Sequence, residues 1–553
     1  MLPCADVVAE DASTAALMKQ AAALRSDYEY RAAEKILRGV LAREPDHLGA
    51  QLTLANVLSA VGEGAEALRL VRAVVERHPK RVEPYRALGM LVMDAEGPEA
   101  GKASFEKALA LEPKDVRSMC GLAVASLAVG DLEDADRWLT QAEAHAADAI
   151  QVLLTRARWL FRSKRTDEAA RMYASVLARE PWNLPANATA ANGIVIKGSP
   201  LYRPPWTPMP YDRRIKRAAQ AYRSRSFGEA ETRFAKLDDD KAYDGRPAFY
   251  RGLVALRLGK TRAAIDLFKR AVSREPDNFL FRNGYVRAVS AHVSNQRAEY
   301  GAGADDADRL GPIADISFQQ EELPGVERFV RGYEALLPRE QQVVLRAVRP
   351  FRKYLPALLR QGATHDIVGM EVRITEAAER AKWREAVAHD GRAYPAVRGM
   401  GGMHAATGLE FILDASRMRE DVFAHEFAHQ VHRFAFDADQ KYEIHRLYLA
   451  ALEHGRALRP YARTNEFEYF AVAYEAFVSP VKSPWQRVSE DRAELKARDP
   501  KLYAFLLDVT ETPEPDPMLE RLREPVLAFY EWAGHEQRLR RARDLYGDKP
   551  ATR

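Results

Sequence analysis

Hydrophobic and polar positions in the first part of the chain repeat every 34 residues. Pro45, Pro79, Pro113 and Pro181 stand on one ladder with that step, and Ala147 fills the remaining rung. Twelve residues before each rung is a small residue: Ala33, Ala67, Gly101, Ala135 and Ala169. Four residues after three of these comes a large one: Phe105, Leu139 and Tyr173. Gly62 and Gly130 each lie seventeen residues before a rung, where a turn is needed. A period of this length predicts paired antiparallel helices. The small residue lets the second helix approach the first, the large one fills the gap, and the proline ends the second helix.

This pattern resembles the tetratricopeptide repeat, through Leu88-Gly89, Phe105, Ala108, Pro113, Gly130 and Ala135. It predicts a helical solenoid over residues 14–190. A second block over 213–296 carries Gly252, Gly259, Ala264, Phe268, Ala271 and Pro276, preceded by Ala230 and Phe234 in the same register. Between the blocks, 191–212 holds five prolines from Pro200 to Pro210 and predicts a linker. The resemblance implies a concave surface that takes a peptide substrate or a protein partner; the plainer reading is a scaffold. Turn residues such as Gly301, Gly303, Gly311 and Pro312 predict a further linker over 297–325.

After residue 325 the register stops, and a domain is expected over 326–535, followed by a tail over 536–553. Strands are predicted at Ile367–Ile374 and Gly408–Asp414, and helices at 340–360 and 440–455. The Gly408–Asp414 run is either a cleft-edge strand, along which an extended peptide adds after the Gly-rich stretch Arg398–Met403, or an interior strand. Asp421–His432 contains His425, Glu426 and His429 in H-E-x-x-H spacing, with nothing to break a helix. Helical residues four apart share a face, so both imidazoles can meet one Zn²⁺ with Glu426 beside it as a base.

A third ligand is expected in Tyr461–Phe477. Thr464 or Asn465 can cap a new helix there, and Glu466, Glu468 and Glu475 follow. Glu466 suits the helix dipole. Glu468 sits among Phe467, Tyr469 and Phe470, where a carboxylate is costly unless paired or bound to metal.

H-E-F-A-H followed by Y-A-R-T-N-E-F-E-Y-F-A resembles the catalytic domain of anthrax lethal factor and its bacterial relatives, zincins with a glutamate third ligand. The resemblance implies that His425, His429 and Glu468 hold one zinc ion. It implies that Glu426 is the general base and that Tyr461 stabilises the oxyanion or donates a proton. One departure is Val472, where the family often has an acid that orients a histidine; Glu475 or Asp421 is left for that support. His432 is read as partly exposed helix surface rather than a fourth ligand, and His404 and His445 as structural.

Length and composition fit this picture. At 553 residues, two or three domains are expected. Basic and acidic residues number 83 and 79, a balance that argues against a nucleic-acid surface. Two cysteines, Cys4 and Cys120, fit a reducing compartment. No leader or membrane span is read, so a cytoplasmic location is expected. The expected fold class is mainly α: a tetratricopeptide-repeat solenoid followed by an α+β zincin-like metallopeptidase domain. The expected function is zinc-dependent hydrolysis of peptides or proteins. The alternative is a repeat-based interaction scaffold with a weak or inactive zincin domain, and a third option is zinc-dependent action on another bond.

Overall fold

A computed structural model describes residues 13–191, 213–238, 244–298, 323–384, 386, 388, 392–416, 418–482, 490–513 and 516–546. Most of the two predicted linkers, residues 192–212 and 299–322, lies outside these residues.

The helices keep the 34-residue register. They begin at Thr14, Leu48, Val82, Val116, Ile150 and Leu184, and their partners begin at Tyr30, Gly64, Pro98, Leu132 and Thr166. The step survives Ala147, so the missing proline does not disturb it. Ala33, Ala67, Ala135 and Ala169 are buried, as are Phe105, Leu139 and Tyr173. Gly62 caps the helix Leu48–Val61 in the left-handed region, with φ of 101°, and Gly130 does the same for Val116–Val129 with φ of 84°.

Two further devices sharpen the repeat. The Phe105 ring is clamped between Gly89 and Gly121, where an added Cβ would lie 2.7 and 2.5 Å from it. Gly252 and Gly284 clamp Phe268 in the same way, also at 2.7 and 2.5 Å. In each case glycine stands sixteen residues to either side of the phenylalanine. The prolines that end helices also serve as acceptors. Gln51, Asn187 and Arg282, each six residues on, donate to the carbonyls of Pro45, Pro181 and Pro276 at 2.7, 2.9 and 2.7 Å.

The chain divides into two compact units. One gathers the described residues of 1–155, 292–311 and 524–543 and is built from the first helical hairpins. Its core runs through Leu37, Val40, Leu54, Val57, Leu58 and Val71.

The other gathers the described residues of 156–291, 312–523 and 544–553. It contains the last helices of the first repeat block, the second block up to Ala291, and a small four-stranded mixed sheet. Strands β1 (Val330–Arg331), β2 (Thr364–Val368) and β4 (His404–Gly408) run parallel. Strand β3 (Gly399–Met400) pairs antiparallel with β4 at the sheet edge. An aromatic core backs the sheet, with Phe351 stacked on Tyr474 at 4.3 Å and Phe427 edge-on to Phe329 at 5.6 Å. The residues expected as a tail contain a helix, Glu536–Tyr546. Among the described residues no helix is long and apolar enough to cross a membrane.

Two predicted strands are corrected. Gly408–Asp414 is not a strand: β4 ends at Gly408 and Leu409–Ala415 is a helix. A short apolar run does not separate the two by period. The helix is favoured because Glu410 and Asp414 then share a face, and each meets an arginine, Arg398 and Arg287. Ile367–Ile374 is a strand only to Val368. Beyond it, the carbonyls of Gly369 and Val372 accept hydrogen bonds from the Arg398 guanidinium instead of from a neighbouring strand.

Candidate metal centre

Asp421 begins the helix Val422–Phe434 by accepting from the Ala424 N–H at 3.0 Å. Phe423, Phe427 and Val431 form one buried row of that helix, four residues apart. His425 and His429 form another row, the first buried and the second half-buried. Gln430 ties the helix to the sheet by donating to the carbonyls of Thr364 and Met403 at 3.0 and 3.2 Å. A second helix, Glu466–Phe477, starts at Asn465, whose side chain accepts from the Glu468 N–H at 2.9 Å. The predicted cap is therefore Asn465, and it fixes Glu468 in the first turn.

The two helices bring His425, His429 and Glu468 together. The Glu468 Oε2 lies 3.1 Å from His425 Nε2 and 3.5 Å from His429 Nε2. One donor atom from each of the three lies within 4.8 Å of the other two. A tetrahedral zinc with bonds of about 2.1 Å has donor edges of roughly 3.4 Å. The carboxylate-to-imidazole distances match that edge, and two nitrogens with one oxygen are the donor set of a catalytic zinc. The donor set and these two edges therefore fit the ion. The imidazoles stand at 88° to each other, 4.8 Å apart.

Glu426 lies beside the cluster and is 8% exposed. Burial, helped by the charge of Glu468, pushes its pKa up to about 7, while His429 and Arg392 work the other way. Burial also penalises charge on Glu468, but the two imidazoles outweigh it and hold that carboxyl well below the ordinary range. Tyr461, on the short turn Pro460–Arg463, has its ring 6.1 Å from that of His425.

The Gly-rich stretch presses against this site. A Cβ on Gly399 would lie 2.7 Å from Glu426 Oε1, and one on Gly401 3.2 Å from Glu426 Oε2. Glycine thus lets the backbone of β3 pass directly over the carboxylate. The sequence marks this stretch for substrate positioning but not for contact with Glu426; a run of glycines before the helix is the available signal.

Neither Glu475 nor Asp421 hydrogen-bonds an imidazole among the described residues, so the orienting role expected of one of them is not seen; the two acids are linked to each other instead. Glu475 accepts from the Asp421 N–H at 3.2 Å, from Arg459 at 2.8 Å and from Lys482 at 3.0 Å. Burial opposes charge on Glu475, but Lys482 and Arg459 keep it ionised. Asp421 in turn pairs with Arg346 at 3.0 Å. Both acids brace the start of the helix that carries the imidazoles. Val472 is core.

His432 is corrected. It is 1% exposed, with its ring 4.7 Å from Phe467 and 5.2 Å from Phe470. The second helix covers this face, which a sequence does not reveal. Burial pushes His432 down to about 3 and keeps it neutral. His445 pairs with Glu466, and His404 faces Thr364 Oγ1 at 3.0 Å.

His365 on β2 is not singled out by the sequence. It bridges Gln430 at 3.0 Å and Thr407 at 2.9 Å. Burial pushes its pKa from 6.5 down to about 3, against a hydrogen bond with Gln430 that works the other way. The unfolded chain therefore binds a proton that the folded chain refuses. The stability from this residue is complete above pH 6.5 and is lost as pH falls toward about 3. The loss between pH 6.5 and about 5 is roughly 2 kcal/mol. Urea titrations at neutral and mildly acid pH should show this limb flattened in His365→Gln; a limb as steep as the parent's would refute the assignment.

A tetratricopeptide repeat model matches residues 24–89. No curated protein matches the chain. One similar solved structure is a thermophilic TPR protein in Thermus thermophilus, at 21% identity, covering 31% of this chain and 94% of that one, with a TM-score of 0.29. Another is a tetratricopeptide repeat protein from Parabacteroides merdae, at 13% identity, covering 50% and 97%, with a TM-score of 0.24. The chain thus carries tetratricopeptide repeats in its N-terminal part and is mainly helical.

Proposed function

We propose that this chain is a zinc-dependent endopeptidase whose repeats bind its substrate or a protein partner. The observation that carries the reading is the convergence of His425, His429 and Glu468, distant in sequence, at donor-to-donor distances of 3.1 and 3.5 Å around one point. These three would hold the ion. When bound, zinc supplies a Lewis acid that polarises the scissile carbonyl and makes water acidic.

The protein's own groups do the rest. Glu426 accepts a proton from the attacking water and delivers it to the leaving nitrogen. Its burial against the backbone of β3 keeps that carboxylate aimed and dry. The Tyr461 hydroxyl, on a ring 6.1 Å from that of His425, would donate a hydrogen bond to the developing oxyanion. The outer edge of β3 gives an extended peptide main-chain groups to pair with, adjacent to Glu426.

The family match, confined to residues 24–89, favours a second reading: an interaction scaffold with a weak or inactive metal site. Metal analysis and peptide-library digestion of the purified full chain separate the two. The peptidase reading expects about one zinc per chain, and cleavage that a chelator abolishes and added zinc restores. Bound zinc without cleavage would leave the scaffold reading. Failure to bind zinc after reconstitution would end the metal assignment itself.

A further inference from the structure

The second repeat block opens with the helix Arg213–Arg223, which has two unlike sides. Its apolar side, Ile215, Ala218, Ala219 and Ala221, is buried. Tyr222 fixes the helix in place, with its ring 5.7 Å from Tyr250 and 6.0 Å from Phe227. The opposite side is cationic. Arg213, Lys216, Arg217 and Arg223 fall on one helix face, and Arg225 follows in the turn. All five are exposed, and no acidic residue stands between Arg213 and Arg225.

Nothing within the fold neutralises this row. Arg223 acts on the carboxyl of Glu371 at longer range, but none of the five has an ion-pair or hydrogen-bond partner among the described residues. The acids that follow in the chain are already taken: Glu229 pairs with Arg233 at 2.6 Å and Glu231 with Arg251 at 2.9 Å. The arrangement also works against the helix itself. Arg213 repels Lys216 and Arg217, three and four residues on. Cations in a first turn that holds no acid oppose the helix dipole. Mixed charges would solvate the surface equally well, so a row of one sign is favoured where an anionic partner covers it.

The spacing and the rest of the chain select the partner. Side chains three and four apart on a helix stand about 5–6 Å from each other. Carboxylates on alternate residues of an extended chain stand about 6–7 Å apart, so successive acids can meet successive cations. Arginine, which dominates the row, takes a carboxylate with two parallel N–H donors. The whole chain holds 83 basic and 79 acidic residues, so no excess of positive charge remains outside this row. A long nucleic acid or a membrane surface spreads past the row onto that balanced surface, whereas a short acidic segment stays on it.

We propose that this face docks an extended acidic segment of a protein partner. From Arg213 to Arg223 the row spans about 15 Å, at about 1.5 Å per helical residue. Arg213, Lys216, Arg217 and Arg223 each take a carboxylate or share one with a neighbour, and Arg225 extends the track beyond the helix. Docking here is independent of whether the metal site cleaves what is bound.

Fluorescence anisotropy of the full chain with a short labelled peptide of alternating glutamate and serine tests it. Saturable binding is expected, weakening as salt rises, and absent for the peptide with glutamine in place of glutamate. The triple variant Arg213→Gln, Lys216→Gln, Arg217→Gln should bind about tenfold more weakly. Its melting temperature should hold or rise, because the substitutions remove repulsion. The control Lys80→Gln, Lys107→Gln, Lys114→Gln removes the same charge from exposed positions elsewhere and should bind like the parent. No saturation, equal weakening in both triple variants, or a lower melting temperature in the first would overturn the proposal. So would tighter binding, through the same three residues, of a single-stranded oligonucleotide or of phosphatidylserine vesicles, which would give the row to a nucleic acid or a membrane.

Discussion

On the proposed peptidase reading, Glu426→Gln should lower kcat on any cleaved peptide by on the order of 10²- to 10⁴-fold, the usual worth of a positioned general base, while the protein still folds and still takes up zinc. The amide has the same shape as the carboxylate and fills the same slot against Gly399 and Gly401. It cannot accept a proton from water at neutral pH. Metal content should not change, because the proposed donor atoms belong to His425, His429 and Glu468. Thermal stability should stay level or rise, since burial disfavours the carboxylate that the substitution removes. The diagnostic result is therefore a split: activity lost, zinc and melting temperature kept. A variant as active as the parent would remove Glu426 from the mechanism. His425→Ala is the contrasting control, in which zinc content and activity should fall together.

The repeat register was legible because each rung carries its own physics. Proline stops a helix, alanine lets two helices close, and glycine turns the chain at Gly62 and Gly130. The pairing of His425 with His429 was legible for a similar reason, since four-residue spacing on a helix is local geometry. Asn465 and Glu468 were readable as cap and buried acid, but not their distance from the imidazoles, which depends on how two helices pack. The burial of His432 depends on that same packing, through Phe467 and Phe470. The Leu409–Ala415 helix was not legible, because the arginines that favour it, Arg287 and Arg398, come from elsewhere in the chain.

Arg398→Met should destabilise the unit carrying the candidate metal site by roughly 3–5 kcal/mol, the usual consequence of stranding one partner of a buried ion pair. Arg398 meets both oxygens of Glu410, at 2.6 and 3.0 Å, and Glu410 is 1% exposed. Burial would raise the Glu410 pKa, and Arg398 outweighs it and keeps the carboxylate charged. Asn283, which also donates to Glu410 at 2.9 Å, cannot replace that charge. The same guanidinium satisfies the carbonyls of Val368, Gly369 and Val372, so its loss also frees the chain after β2. Because Arg398 immediately precedes Gly399, activity should fall with stability as β3 loosens over Glu426. Arg398→Met combined with Glu410→Leu should recover much of the loss, since replacing both charges removes the stranded carboxylate. Hydrogen exchange at the amides of His404–Gly408 reads this unit without assuming that the whole chain unfolds in one step. A single variant whose exchange there equals the parent's, or a double variant worse than the single, would show that this ion pair does not hold β3 and β4 in place.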